Sequence, residues 1–379
     1  MKILYVHAKG EIGGSDISLL TILKNINRKQ FSPNVIVGKK GPFFTDYKKY
    51  SDRCEEVEFT VLKSPENLFD LLRVLIGFLP SIFMIWNVIR KWDIDVVHVN
   101  TVVIPSAVIA GKLAGKPVIV HKREIITSNK FASGILDFIT YIFANKVIAI
   151  SNGVKKSSFK PLQNKTIVIY NGVNLSEIKI SSDGNFRKHN KISKDTFLIG
   201  IFSRIEPWKG QHIVIKSIHP ILSKFNNVKL MIFGNHYTKK GERYFEYLKS
   251  LVKDLELGNH VVFPGWIKNL NEVYSEFDLV VLPSIDPEPL GRVVIEAMAA
   301  GKPVLATNLG GSKECIVNNE SGLLVKENDV SSMGNAILKI LENKSLRNKF
   351  GHNGRERVET FFDIENIITR IEKIYKTFE

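Results

Sequence analysis

Short apolar runs of three to seven residues alternate along this chain with longer stretches in which apolar positions recur every three or four residues. The short runs read as buried strands and the longer ones as helices, an alternation that predicts parallel sheets built from βαβ units. In the first half the runs are Lys2–His7, Asp95–Asn100, Val118–Val120, Lys146–Ser151 and Thr166–Tyr170. In the second they are Phe197–Phe202, Lys229–Gly234, Val261–Ile267, Asp278–Leu282, Val304–Thr307 and Ser321–Val325. The alternation lapses once. Asn171-Gly172-Val173-Asn174 is a turn signal, and residues 175–195 are polar with few apolar anchors, which predicts a connection between two domains. A chain of 379 residues fits that division. The expected bounds are 1–172 and 173–360.

The most informative stretch runs from Asp278 to Gly311. A strand ends at Pro283-Ser284, and Ile285-Asp286-Pro287-Glu288-Pro289 follows without periodicity. Helical spacing is expected from Leu290 through Val293, Val294, Ile295, Ala297 and Met298, stopped by Gly301-Lys302-Pro303. The first backbone N–H groups of such a helix, around Leu290, Gly291 and Arg292, have no partners within it and suit an anion. Gly291 permits close approach of a ligand to the backbone. Two carboxylates, Glu288 and Glu296, bracket this turn. Eight helical steps would separate them by roughly 12 Å, too far to flank one glycosidic bond as a hydrolase pair does. Such a pair is better suited to gripping two parts of one elongated ligand.

Other strand ends carry candidate chemistry, because ligands of doubly wound sheets bind beyond the carboxyl ends of the strands. Ser203-Arg204-Ile205-Glu206-Pro207-Trp208-Lys209-Gly210 places two cations on one loop. Lys9-Gly10-Glu11-Ile12-Gly13-Gly14-Ser15-Asp16 is a glycine-rich loop without the spacing of a dinucleotide fingerprint. His121-Lys122-Arg123-Glu124 follows Val118–Val120. Here a histidine at a strand end reads equally as a functional group or as hydrogen-bonded structure.

Composition narrows the class. An apolar share of 44% with 24% charged residues describes a globular chain. Two cysteines make no disulfide framework and imply a reducing compartment. The first seven residues lack the pattern of a secretory signal. Net charge is +15, and residues 1–170 hold 24 Lys and Arg against 13 Asp and Glu, so 24 minus 13, or +11, sits there. No finger or RNP-like motif accompanies it, so nucleic acid is not expected. An anionic lipid surface or a solvated basic face accounts for it better. Between Arg73 and Arg90 lie 16 uncharged residues interrupted by Pro80. That run is too short to span a bilayer. It predicts two helices broken at Pro80, with an apolar flank either buried against the sheet or touching a membrane.

The stretch Glu288-Pro-Leu-Gly-Arg-Val-Val-Ile-Glu296-Ala-Met-Ala-Ala-Gly-Lys-Pro-Val resembles the E-x7-E signature of retaining glycosyltransferases of family 4 (glycosyl transferases group 1). The resemblance is strong over the second half and weak over the first. It implies an α/β GT-B fold: two facing, doubly wound, Rossmann-like domains with an interdomain cleft, and a C-terminal helix, about 361–379, crossing back to the first. It implies transfer of a sugar from a nucleotide diphosphate-sugar, the co-substrate, to a glycan or lipid-linked acceptor, with no other cofactor and no metal. Arg204 and Lys209 would clamp the diphosphate, helped by Pro289, Leu290, Gly291 and Arg292. Glu288 would orient the sugar and Glu296 hold the ribose. Gly13 and Gly14 would reach towards the phosphates, while Gly234 and Ile267 would border the donor, the base lying near Val261–Ile267. The family's histidine falls a few residues past Pro117, nearer Arg123 than His121, so both are candidates. A cytoplasmic enzyme, peripheral on the inner membrane face, is the expected setting. A nucleotide-sugar epimerase on the same fold and a non-catalytic partner subunit are the alternatives.

Overall fold

The computed structural model describes residues 1–8, 13–62, 68–127, 129–267 and 270–379, and no side chains for 68–75 and 271. Lys9–Ile12 of the glycine-rich loop, and the side chains of Leu71, Leu72, Val74 and Leu75, lie outside the described residues. The chain divides into two compact units. Met1–Gly172 with Ile364–Glu379 forms one, and Val173–Asp363 the other.

Unit one is a seven-stranded parallel sheet. Its strands are β1 (Lys2–His7), β2 (Ser32–Val37), β3 (Arg53–Glu56), β4 (Val96–Val99), β5 (Val118–Lys122), β6 (Lys146–Ala149) and β7 (Thr166–Val168), ordered β3-β2-β1-β4-β5-β6-β7. Ile3 to Val6 are fully buried, as expected of a strand covered by helices on both faces. β2 and β3 have no counterpart in the sequence reading. β3, Arg53-Cys54-Glu55-Glu56, lies on the sheet edge and carries no apolar pattern; β2 is as long as β1, but its apolar run is only Val35-Ile36-Val37, behind Pro33 and Asn34.

The last helix, Ile364–Lys376, belongs to this unit. Its Ile364, Ile367, Ile368, Ile371 and Ile374 share one core with Ile3, Leu19, Leu23 and Val35. Gly172 lets the helix begin close by, since a Cβ there would stand 2.9 Å from the Ile364 Cα. The hydroxyls of Tyr5 and Tyr375 meet at 3.0 Å.

The apolar run forms one continuous helix, Leu68–Lys91, rather than two. An interior proline removes one backbone donor and costs about 3 kcal/mol. Here the neighbouring turn is pinned from outside. The Ser81 hydroxyl donates to the Gly77 carbonyl (2.5 Å) and accepts from the Thr60 amide (2.8 Å). Ile85 and Ile89 are buried, whereas Ile76, Leu79 and Phe83 face outward. Among the described residues no helix is long and apolar enough to cross a membrane.

Unit two is a six-stranded parallel sheet of β8 (Phe197–Phe202), β9 (Val228–Phe233), β10 (Val261–Gly265), β11 (Leu279–Leu282), β12 (Val304–Thr307) and β13 (Leu323–Val325), ordered β10-β9-β8-β11-β12-β13. The polar segment 175–195 is not a loose connection. Arg187 ties it to this unit, donating to the Glu276 carbonyl (2.9 Å) and to Asp278 Oδ2 (2.9 Å), and Ile178 and Ile192 are buried. In each sheet the strand order reverses once, between β1 and β4 and between β8 and β11. A crevice opens at such a reversal because the crossovers leave on opposite faces.

Candidate active site

In unit two the β8 and β11 loops carry the two halves of the expected donor site. They are knit together, because the Ile285 amide donates to the Trp208 carbonyl at 2.8 Å. Gly210 caps the helix Gln211–Leu222 at φ 68°, and a Cβ there would stand 2.0 Å from the Pro283 carbonyl oxygen. Lys209 ends a short 3₁₀ turn, Pro207–Lys209, which aims its ammonium across to the β11 loop. There it donates to Glu288 Oε1, which also accepts from the Ser284 hydroxyl at 2.7 Å. Lys209 and Glu288 are both buried. Burial lowers the Lys209 pKa, Glu288 opposes that shift, and the nearby Arg204 charge adds to the lowering. Arg204 itself is exposed.

The helix after β11 begins at Arg292, two residues later than the spacing predicts, and runs to Ala299. Gly291 caps it at φ 84°, a left-handed conformation that leaves Pro289 and Leu290 in the loop. Glu296 therefore lies one turn into the helix rather than two, and only half of the eight steps from Glu288 are helical. Glu296 is buried and doubly held. Its Oε1 accepts from Arg292 Nε (2.5 Å) and its Oε2 from the Tyr274 hydroxyl (2.8 Å). Gly310 and Gly311 pack on this loop, where a Cβ would meet the Glu288 and Pro289 carbonyl oxygens at 2.1 and 2.2 Å.

Gly234 follows β9 at φ 133°, and a Cβ there would stand 1.9 Å from the Ser203 carbonyl oxygen. Its immediate role is thus to admit the β8 loop. Trp266 and Ile267 follow β10 and are partly exposed. Tyr274 and Ser284 escaped the sequence reading. Each stands beside a strand, Tyr274 before β11 and Ser284 just after it, but hydroxyls there carry no periodic signal.

In unit one, Gly13 and Gly14 open the helix Gly14–Asn25 just beyond β1. Asp16 in its first turn bonds His7 Nε2 (2.9 Å) and the Tyr47 hydroxyl (3.1 Å). Arg123 is buried beyond β5. It donates to Asn100 Oδ1 (3.0 Å), Ser18 Oγ (2.8 Å), Asn171 Oδ1 (2.7 Å) and His121 Nδ1 (3.2 Å). A guanidinium only donates, so His121 Nδ1 accepts and its proton sits on Nε2. That nitrogen is buried without a partner among the described residues. Burial, then Arg123 and His98, hold the His121 pKa well below its ordinary value, so the ring is neutral. Among the described residues no group of three or more His, Cys, Asp or Glu is placed to hold a metal ion.

Two parallel α/β units of this kind, each reversing its strand order once, define the GT-B class of fold. Each half of the chain is similar to a glycosyltransferase family model. Residues 182–357 match the family model described as Glycosyl transferases group 1, and 12–177 match Glycosyltransferase Family 4. The capsular polysaccharide biosynthesis glycosyltransferase CapM of Staphylococcus aureus is 35% identical over 191 residues, 50% of this chain and 49% of CapM. The phosphatidyl-myo-inositol mannosyltransferase of Mycobacterium leprae is 25% identical over 76% of each chain. The crystal structure of Anabaena Alr3699/HepE in complex with UDP-glucose superposes with a TM-score of 0.86 at 25% identity, covering 100% of both chains. The chain spans about half the length of the curated relatives that match it at 30% identity or better.

Proposed function

We propose that this chain is a retaining, metal-independent glycosyltransferase that moves a sugar from a nucleoside diphosphate-sugar to a lipid-linked or polysaccharide precursor. The observation that carries the reading is the joining of Lys209 to Glu288 at the β8/β11 reversal, beside the Gly291-capped helix that presents Glu296. Breaking the sugar–phosphate bond leaves growing negative charge on the diphosphate, and fixed donors aimed there stabilise it. Arg204, Lys209 and the backbone N–H groups at Arg292 supply those donors. Glu288 orients the sugar and Glu296 the ribose. UDP-glucose bound to the Anabaena relative supports a nucleotide-sugar donor. The names of the staphylococcal and mycobacterial relatives support a polysaccharide or lipid acceptor.

We also place the enzyme at the cytoplasmic face of an anionic membrane. The helix Leu68–Lys91 exposes Ile76 (74%), Leu79 and Phe83, and the helix Lys130–Phe143 exposes Phe131 (80%), Ile135, Phe138 and Ile142. Both pack against the helix Pro105–Leu113. The one carboxylate of Lys130–Phe143, Asp137, is buried and paired with Lys122 at 2.6 Å. Cations border this face: burial lowers the Lys165 pKa and the charges of Lys112 and Lys146 lower it further. Apolar stripes edged by lysine suit anionic headgroups.

A mass-spectrometric screen of nucleotide sugars, with and without candidate acceptors, tests the reading. Protein-dependent release of nucleoside diphosphate is expected. Interconversion of the donor without release would favour an epimerase, and no turnover or binding of any donor would favour a non-catalytic subunit.

A further inference from the structure

We infer that Tyr274 is a positioning residue for nucleotide binding, holding Glu296 in the one orientation in which Glu296 and Arg292 together receive a ribose. The inference rests on the assignment of Glu296 to the ribose made above. Tyr274 is fully buried in the 3₁₀ turn Tyr274–Glu276, three residues before β11, with the Phe202 ring edge-on at 4.8 Å. Its hydroxyl reaches Glu296 Oε2 from one side while Arg292 Nε reaches Oε1 from the other. An ionised carboxylate has about four acceptor positions and only accepts, so the phenol must donate. Burial, then the Glu296 charge, raise the Tyr274 pKa well above its ordinary value, which keeps that proton in place.

Two features point outward to a ligand. Two acceptor positions on Glu296 remain after its bonds to Tyr274 and Arg292. Arg292 Nη1 is buried with no hydrogen-bond partner among the described residues, although its side chain retains 16% exposure. A buried guanidinium N–H left unmet is costly. An acceptor and a donor standing side by side complement a hydroxyl, which both donates and accepts, and a vicinal diol fills more of these positions than a single hydroxyl. Removing the phenolic hydroxyl would leave the packing of the ring on Phe202 intact. It would free the carboxylate to turn, and what is lost is the pre-set orientation rather than a contact to the nucleotide itself.

Calorimetric titration of the full chain with the four common ribonucleoside diphosphates and their 2′,3′-dideoxy counterparts tests this. The unaltered chain should prefer the best ribonucleotide over its dideoxy form by about tenfold or more, the scale of one hydrogen bond to a charged group. Glu296→Gln should abolish that preference. Tyr274→Phe should reduce it by roughly threefold or more and have little further effect on the Glu296→Gln background. Arg292→Lys, which keeps the charge but loses both Nε and Nη1, gives a second route should Tyr274→Phe fail to fold, and it too should reduce the preference. If Glu296→Gln loses the preference while Tyr274→Phe and Arg292→Lys keep it in full, the positioning role is overturned and the ribose assignment stands. If Glu296→Gln keeps the preference, or no nucleotide binds, the assignment falls and the inference with it.

Discussion

Lys209 and Glu288 lie 79 positions apart in the sequence and form a buried ion pair, the Lys209 ammonium standing 4.0 Å from the centre of the Trp208 ring. A buried cation that already has a partner is preorganised: it need not be drawn out of water when a diphosphate arrives. Its partner, though, depends on it. Removing one member of such a pair strands the other charge, at about 3 to 5 kcal/mol.

Lys209→Ala should therefore lower both stability and turnover, turnover by roughly a hundredfold or more. The double variant Lys209→Met with Glu288→Gln separates the two effects. Chemical denaturation should show most of the lost stability restored, while the sugar-transfer assay stays low. A double variant with near-normal turnover would remove Lys209 from the diphosphate site.

Glu296→Ala should weaken binding of the free nucleoside diphosphate, whereas Glu288→Ala should leave that binding nearly intact and reduce transfer. The two carboxylates have different partners, Tyr274 and Arg292 for one, Ser284 and Lys209 for the other. Isothermal titration of both variants with the nucleotide decides the matter, and equal weakening would contradict separate roles.

Co-sedimentation with vesicles checks the membrane face. Binding should appear with anionic lipid at low salt, fade as salt shortens the Debye length, and be nearly absent with neutral lipid. Phe131→Ser combined with Phe138→Ser should weaken it further, because both rings are exposed on one helix. No binding to anionic vesicles at low salt would favour a soluble acceptor.

Acid should loosen unit one through its interior histidines. Burial, with Arg123 nearby, pushes His98 down to about 3. The unfolded chain takes up that proton near pH 6.5. The contribution of His98 to stability is thus complete above about 6.5 and declines as pH falls towards 3, by up to about 1.4 kcal/mol per pH unit. His98→Gln, which keeps hydrogen-bonding capacity without titrating, should show a smaller drop in thermal midpoint between pH 7 and pH 5 than the unaltered chain. An equal drop would assign the acid sensitivity elsewhere.

Strands buried on both faces could be read directly, because their apolar runs are unbroken: Phe197–Phe202 and Val304–Thr307 begin and end where the pattern does. Edge strand β3 could not, since Arg53-Cys54-Glu55-Glu56 needs no apolar residue when one side is open. Pro80 misled because its cost is local, whereas the Ser81–Thr60 bond that holds the adjoining turn is tertiary. Arg187 likewise sits in a segment that looks like a linker until Glu276 and Asp278, about ninety positions away, come beside it. In the site, the signature glutamates and the loop cations were visible as residue types. Their pairing was not, because Lys209 and Glu288 meet only after the chain has passed through β9, β10 and β11; nor were Tyr274 and Ser284, because a hydroxyl beside a strand carries no periodic signal.

The return of Ile364–Lys376 to unit one has a consequence for how the molecule is made. A ribosome must translate Val173–Asp363 before it supplies the helix that covers Ile3, Leu19 and Leu23. At roughly 5 to 20 residues per second that is a wait on the order of ten to forty seconds. Throughout it the earlier-born half keeps an apolar flank uncovered, and the later-born half has all its strands, the last ending at Val325, before that flank is covered. The unit begun first is the one finished last, and it is the nascent chain's most exposed target for chaperones and proteases.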